Sequence, residues 1–362
     1  MVNSHYVPQL ILRHFAVDDR IQYCNLSKGI VETRNIRSAF SEKGYYPDEI
    51  EKEMCYKTES QFANLLNNKI LKEQRRIVLT REELFILKKY LIVTTIRFNC
   101  TEALQNFGNP EDAVQGYSSR FYDNINKVLA CQNSDELAQY MMVNPFEELG
   151  KVISDGAGAL NRLFVDIKNI MHSYIIFVST RRCKENFIIP DTGFAYQATH
   201  IAPFSDGAFD KCMYTLSYAM QSRNPYLLQV AQMLTPYDMF ICPVTKDLAV
   251  VSLSIFYKFF NRKSDIYGLL PTEGLTVGKL LGFGDSNLVE PPKVRNQYGK
   301  PATYEYTIQQ LSQTDALTLN SGMINTAEHY FGYADLQNIR SSIERYMSFP
   351  TGARRYDLSF MK

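Results

Sequence analysis

Apolar residues recur mostly at helical spacing in the first part of this chain and in short β-rich runs in the second, and the change divides it. Near the start, Ile11 and Phe15 lie four apart with Leu12 beside them, the inward face of a short helix. Pro8 lacks an N–H and has φ preset near the helical value, so it suits the first helical position and drives Val7 toward an extended conformation. Arg20 to Leu26 alternates instead, and Ser27-Lys28-Gly29 reads as a turn before Ile30 to Thr33, which predicts a small hairpin. Pro47 and Asp48 are start signals for a helix from about Glu49 to about Leu71, with Cys55, Phe62, Leu66 and Ile70 on its inward stripe. The capping box Thr80-Arg81-Glu82-Glu83 opens the strongest helix, which ends near Thr101 and is apolar on nearly all sides, as a central helix would be. Helical patterning continues from about Glu111 to about Asn169, punctuated by Pro110, Pro145 and Asp155-Gly156-Ala157-Gly158.

Beyond residue 170 the pattern changes to short apolar runs. His172 to Ser179 and Asn186 to Ile189 are short β-rich runs around a charged loop, as in a hairpin. Met239 to Val244 and Leu248 to Leu253 flank Thr245-Lys246-Asp247 as a second hairpin. The segment from about Gly268 to Pro301 is rich in Pro and Gly and reads as a long surface loop. Tyr304 to Ile308 is a last strand, and helices from about Ser321 to Phe331 and Asp335 to Met347 close the chain. The predicted class is α+β, mostly α-helical, with antiparallel hairpins in the central and C-terminal part. Residues 1–170 form a mainly helical layer and residues 171–362 an α+β part, packed as one unit.

Polar side chains on these apolar faces supply the candidate chemistry. Glu59 falls on the stripe of the 49–71 helix, and Glu51 lies close to the same face. Arg97 continues the line of Ile86, Tyr90 and Val93, so its guanidinium is either paired with a carboxylate, Glu59 first, or aimed into a polar cavity. His5 stands just ahead of Pro8, beside a helix N-terminus that disfavours imidazolium. A neutral His5 can accept a proton or bind a metal; it can equally cap or pack the first turn.

Composition narrows the field. Lys and Arg total 39 against 38 Asp and Glu, so no global field draws the chain to nucleic acid or an anionic membrane, and any such site is local. Seven cysteines, an odd number with no Cys-x-x-Cys pair, argue against a disulfide framework or a thiolate zinc site and for a reducing compartment. With no secretory signal and no long apolar run, a cytoplasmic location and no membrane partner are expected. Walker, His-Glu-x-x-His, Gly-x-Ser-x-Gly and Rossmann fingerprints are all missing from the sequence.

The opening His5-Tyr6-Val7-Pro8-Gln9, with Leu12-Arg13 and Phe15, resembles the start of the bacterial family catalogued as domain of unknown function 4238, which begins with a His-x-x-Pro signature. The likeness runs on through Glu53 and Glu59 on one helix, Arg97 on the next, and Asp191 in Pro190-Asp191-Thr192-Gly193. It continues through Ile241-Cys242-Pro243-Val244-Thr245 and Leu319-Asn320. Asp191 has lost the asparagine and proline that follow it in the family's pattern. The resemblance implies no established reaction, but some members resemble parts of antiphage defence loci. The first expectation is therefore a defence effector that hydrolyses nucleic acid or a nucleotide. In it His5, Glu59, Arg97 and Asp191 are catalytic, Glu59 and Asp191 hold a divalent metal, and Arg13, Tyr6 and Gln9 contact substrate. The alternatives are a non-catalytic sensor or binding module that recognises a ligand or a phage or defence-system protein, and a buried structural network of the same residues.

Overall fold

The computed structural model describes residues 3–43, 48–105, 126–143, 173–197, 239–253, 293–295, 300–351 and 354–361, with positions 167, 170, 171 and 298. Pro47, most of the 111–169 stretch, His172, His200, Cys212 and most of the segment from Gly268 to Pro301 lie outside the described residues.

In chain order the first elements are β1 (Asn3–His5), α1 (Gln9–Leu12), β2 (Arg20–Asn25), β3 (Ile30–Asn35) and β4 (Ser41–Lys43). Next comes one long helical rod, α2 (Asp48–Met54), a π-helical turn (Cys55–Glu59) and α3 (Ser60–Asn68), which leads through β5 (Arg76–Thr80) into α4 (Arg81–Gln105). After α5 (Ser134–Val143) follow β6 (Tyr174–Ser179), β7 (Ile189–Pro190), β8 (Ala195–Gln197), β9 (Met239–Thr245) and β10 (Leu248–Leu253). The C-terminal elements are β11 (Lys293–Arg295), β12 (Thr303–Gln310), α6 (Gln313–Thr326), β13 (Tyr330–Tyr333) and α7 (Arg340–Met347).

The chain is not mostly helical. A seven-stranded mixed sheet has the order β11-β12-β6-β10-β9-β8, with β5 also paired to β12; a four-stranded sheet runs β3-β2-β13-β7, and β1 pairs with β4. This corrects the expected helical predominance, and its cause is non-local pairing. β1, β4 and β5 are short, their residues alternate too briefly to signal a strand, and each is defined by a partner far along the chain or across a turn. The β12–β6 ladder is parallel, so the sheet is mixed rather than built from hairpins alone. Strands from either side of residue 170 share both larger sheets.

Two hairpins are present as read from the sequence, β2–β3 and β9–β10. The supposed hairpin between residues 172 and 189 is absent, because β6 enters the large sheet while β7 pairs with β13 in the small one. Likewise α6 starts at Gln313, with the Ser312 hydroxyl accepting the Asp315 N–H, and ends at Thr326. Tyr330 and Phe331, expected as the end of a helix, instead begin a strand, Tyr330–Tyr333.

α4 stands at the centre. The capping box closes as its sequence requires, with the Thr80 N–H donating to Glu83 Oε2 at 2.8 Å and the Glu83 N–H to Thr80 Oγ1 at 3.2 Å. Tyr90 stacks on Phe62 of α3 with ring centroids 3.9 Å apart. Two neighbouring buried lysines interrupt the apolar surface: Lys88 Nζ donates to the carbonyls of Met171 and Ser173, and Lys89 Nζ to those of Leu129 and Cys131. Each ammonium thus ties α4 to two backbone carbonyls of another segment.

The small sheet is packed to contact. A Cβ on Gly332 would stand 2.8 Å from Ile21 Cδ1 and 3.0 Å from Phe40 Cε2. Phe40 itself has φ +53, a conformation that costs energy in a bulky residue, and its ring meets those of Tyr6 and Tyr23 edge-on at 6.0 and 5.1 Å. Gly332→Ala should therefore destabilise the protein by about 1–3 kcal/mol in chemical denaturation. Adding Ile21→Val, which removes the nearest methyl, should recover part of that loss; no recovery would show that the clash lies elsewhere.

Candidate functional site

The site begins with a helical irregularity. Eight residues of α-helix turn through roughly 800°, about 80° beyond two turns, so Glu51 and Glu59 would diverge on a regular helix. The π turn at Cys55–Glu59 closes i→i+5 and absorbs roughly one residue of that excess. Glu51, Cys55 and Glu59 then fall in one line. The Cys55 Sγ lies 3.7 Å from Glu51 Oε1 and 3.6 Å from Glu59 Oε2, and both carboxylates face α4.

Arg97 on α4 enters between them, fully buried. Its Nε and Nη2 donate to Glu59 Oε1 at 2.9 and 2.6 Å, and its Nη1 and Nη2 donate to Glu51 Oε2 and Oε1 at 2.8 and 3.4 Å. The remaining Nη1 hydrogen goes to the backbone carbonyl of His5 at 2.6 Å. All five guanidinium N–H groups are engaged. The pairing with Glu59 expected from the sequence is present, and Glu51 completes it.

His5 is the last residue of β1, held opposite Ser41 of β4. Its Nε2 lies 3.2 Å from the Ile36 carbonyl and 3.2 Å from Gln9 Nε2, so the ring either donates to the first or accepts from the second. Burial lowers the imidazole pKa below its ordinary 6.5; the Ile36 carbonyl and Glu51 oppose that shift and Arg97 reinforces it. The neutral form expected from a helix N-terminus is thus favoured for a different reason. α1 is only four residues long, and Pro8, at ψ 138°, caps it from outside instead of occupying its first turn.

Gln9 therefore contacts His5, while the other expected substrate contacts stand apart from the network. The Tyr6 hydroxyl is hydrogen-bonded to that of Tyr23, and Arg13 is exposed at the end of α1. Asp191 follows β7 in a turn whose Gly193 has φ +78 and packs against Thr94, one helical turn before Arg97. The Asp191 oxygens face the other way. Oδ1 accepts the Glu328 N–H at 2.8 Å, and Oδ2 accepts those of His329 and Tyr330 at 2.7 and 3.0 Å. Burial pushes its carboxyl pKa up, and the three amides pull it down.

Glu59 is engaged by Arg97, and Asp191 by three backbone amides. Among the described residues no group of three or more His, Cys, Asp or Glu is arranged to hold a metal ion. The Cys55 thiol pKa, pushed up to about 12 by burial and by the flanking carboxylates, leaves it a poor nucleophile. Glu53, matched to the family pattern on sequence, pairs instead with Lys57 on the surface. The residues missed as site members are Glu51 and Cys55. Their spacing was the available signal, Cys55 lying four residues from each acid and Glu51 eight from Glu59 on nearly the same face.

Together the fold and the site define an α+β protein whose N-terminal strand, helical rod and central helix meet at a buried guanidinium–dicarboxylate junction. A family model described as "Protein of unknown function (DUF4238)" matches residues 3–332, nearly the whole chain, and the chain belongs to that family. No curated protein and no solved structure matches. Among the described residues, no helix is long and apolar enough to cross a membrane.

Removing the guanidinium would leave two buried carboxylates without a cation. Arg97→Met should cost about 3–5 kcal/mol in urea denaturation, and adding Glu51→Gln and Glu59→Gln should restore part of it. An Arg97→Met protein of unaltered stability would show that the junction carries no weight.

Acid should weaken the fold through the imidazoles. His5 and His14 are both held below 6.5, chiefly by burial, so below that pH the unfolded chain binds protons that the folded chain refuses. The stability contribution is whole above pH 6.5 and is lost as pH falls toward the lowered values. Replacing both with Gln should flatten the slope of thermal stability across that interval; an unchanged slope would assign it to other groups.

Proposed function

We propose that this protein is a non-catalytic binding module or sensor, in which the His5–Glu51–Glu59–Arg97 set is a structural junction. One observation carries the reading: every donor of Arg97 is spent inside the protein, leaving none to meet a phosphate or a developing negative charge. Asp191 is spent in the same way on the turn at residues 328–330. Recognition then falls to surfaces supported by this junction, with a phage or defence-system protein as the expected partner class, in keeping with the resemblance to defence-locus proteins.

A second reading, hydrolysis of nucleic acid or a nucleotide, draws on the neutral His5 imidazole, an available base beside an acidic pair. The two separate in one experiment. Wild type, His5→Ala and Glu59→Gln are assayed for stability and for cleavage of single-stranded and double-stranded nucleic acid and nucleoside triphosphates with Mg²⁺ or Mn²⁺. The binding-module reading expects no cleavage by any protein and a lowered melting temperature for Glu59→Gln. Metal-dependent cleavage by the wild type that is lost in variants of normal stability would overturn it in favour of hydrolysis.

A further inference from the structure

Away from the junction, β3 forms an open edge of the four-stranded sheet. Among the described residues the ladder bonds of Ile30 to Arg34 run to β2 alone, and Ile30, Val31, Thr33 and Asn35 are exposed. Ile30 and Val31 are 41% and 39% accessible, and Phe360, at 37%, stands beside the turn that precedes them, its ring 3.6 Å from where a Cβ on Gly29 would lie. An apolar, unpaired edge is a template for another strand, and proteins ordinarily blunt such edges. The opposite edge of this sheet is blunted, since β7 is only two residues long and includes Pro190.

The charge pattern of β3 selects its occupant. Glu32 and Arg34 share one face of the strand and are paired within the chain, Arg34 Nε donating to Glu32 Oε2 at 2.8 Å. Laid antiparallel on a second β3 about a two-fold axis at Thr33, each Glu32 comes opposite Arg34 of the partner subunit and each Arg34 opposite Glu32 of the partner subunit. The four groups then alternate in sign around a square. Opposite charges directly across an antiparallel pair stabilise it, and like charges oppose it. The exposed β11 makes the contrast: a two-fold axis at Val294 would set Lys293 against Arg295 of the partner subunit, cation on cation. Of these two edges, β3 alone is complementary to itself, and a two-fold contact requires such self-complementarity.

We infer that β3 is a homodimer interface, pairing with β3 of a second copy in the antiparallel register centred on Thr33 through Glu32–Arg34 contacts between subunits. The test is sedimentation velocity of the full chain over a concentration series. It compares the wild type, Glu32→Arg, Arg34→Glu and an equimolar mixture of those two variants, with circular dichroism to confirm that each is folded. The wild type should associate reversibly. Each single variant, carrying like charges across the axis, should bind itself at least roughly tenfold more weakly. The mixture, in which cationic and anionic edges meet, should recover association. A wild type that stays monomeric throughout, a dimer indifferent to both reversals, or a mixture that fails to recover would each overturn the assignment. A peptide partner for this edge would show as a monomeric wild type.

Discussion

A guanidinium removed from water must find an acceptor for each of its five N–H groups, and the N-terminal half of this protein is arranged around that requirement. Arg97 lies on the central helix with no exposed surface, so its partners have to come to it. They arrive from two other elements: Glu51 and Glu59 from the helical rod, and the His5 carbonyl from the end of the first strand. Burying such a group gains little stability by itself, because desolvation offsets most of the ion-pair attraction. Its effect is on arrangement. Few relative positions of the three elements satisfy all five donors at once, which is how a polar junction can select one packing among several that bury similar apolar area.

Asp191 serves a parallel purpose at the other end of the chain. Its carboxylate gathers the consecutive backbone amides of Glu328, His329 and Tyr330, where the chain enters β13, which lies between β2 and β7. Lys88 and Lys89 do the converse, placing cations on buried carbonyls. A polar residue on an apolar face has in each case been used to tie one segment to another distant in sequence.

The sequence made some of this legible and hid the rest for identifiable reasons. The capping box at Thr80 and Glu83, the turn between β2 and β3, and the apolar runs of β9 and β10 around Thr245-Lys246-Asp247 are local signals, and each appears as read. Arg97 and its partner Glu59 were visible because a charge on an apolar stripe demands compensation. The family likeness was legible in the sequence, and the family model matches nearly the whole chain. What failed was non-local: the strands β1, β4 and β5 exist only through their partners, and Tyr330 to Tyr333 carries too few residues to declare a period. The orientation of Asp191 could not be read either, since a lone aspartate after a strand does not announce which backbone amides will claim it.

Between Glu51 and Glu59 the π turn takes up the eighth residue, and with it the rotation that would otherwise point the second carboxylate away from the central helix. Excising a single position from that interval would let the rod relax to ordinary α geometry, and the seven remaining steps, roughly 700°, would leave the two acids about 20° from alignment. A relative with seven residues and a regular helix in that interval would present its acids to the central helix much as this chain does with eight and a π turn.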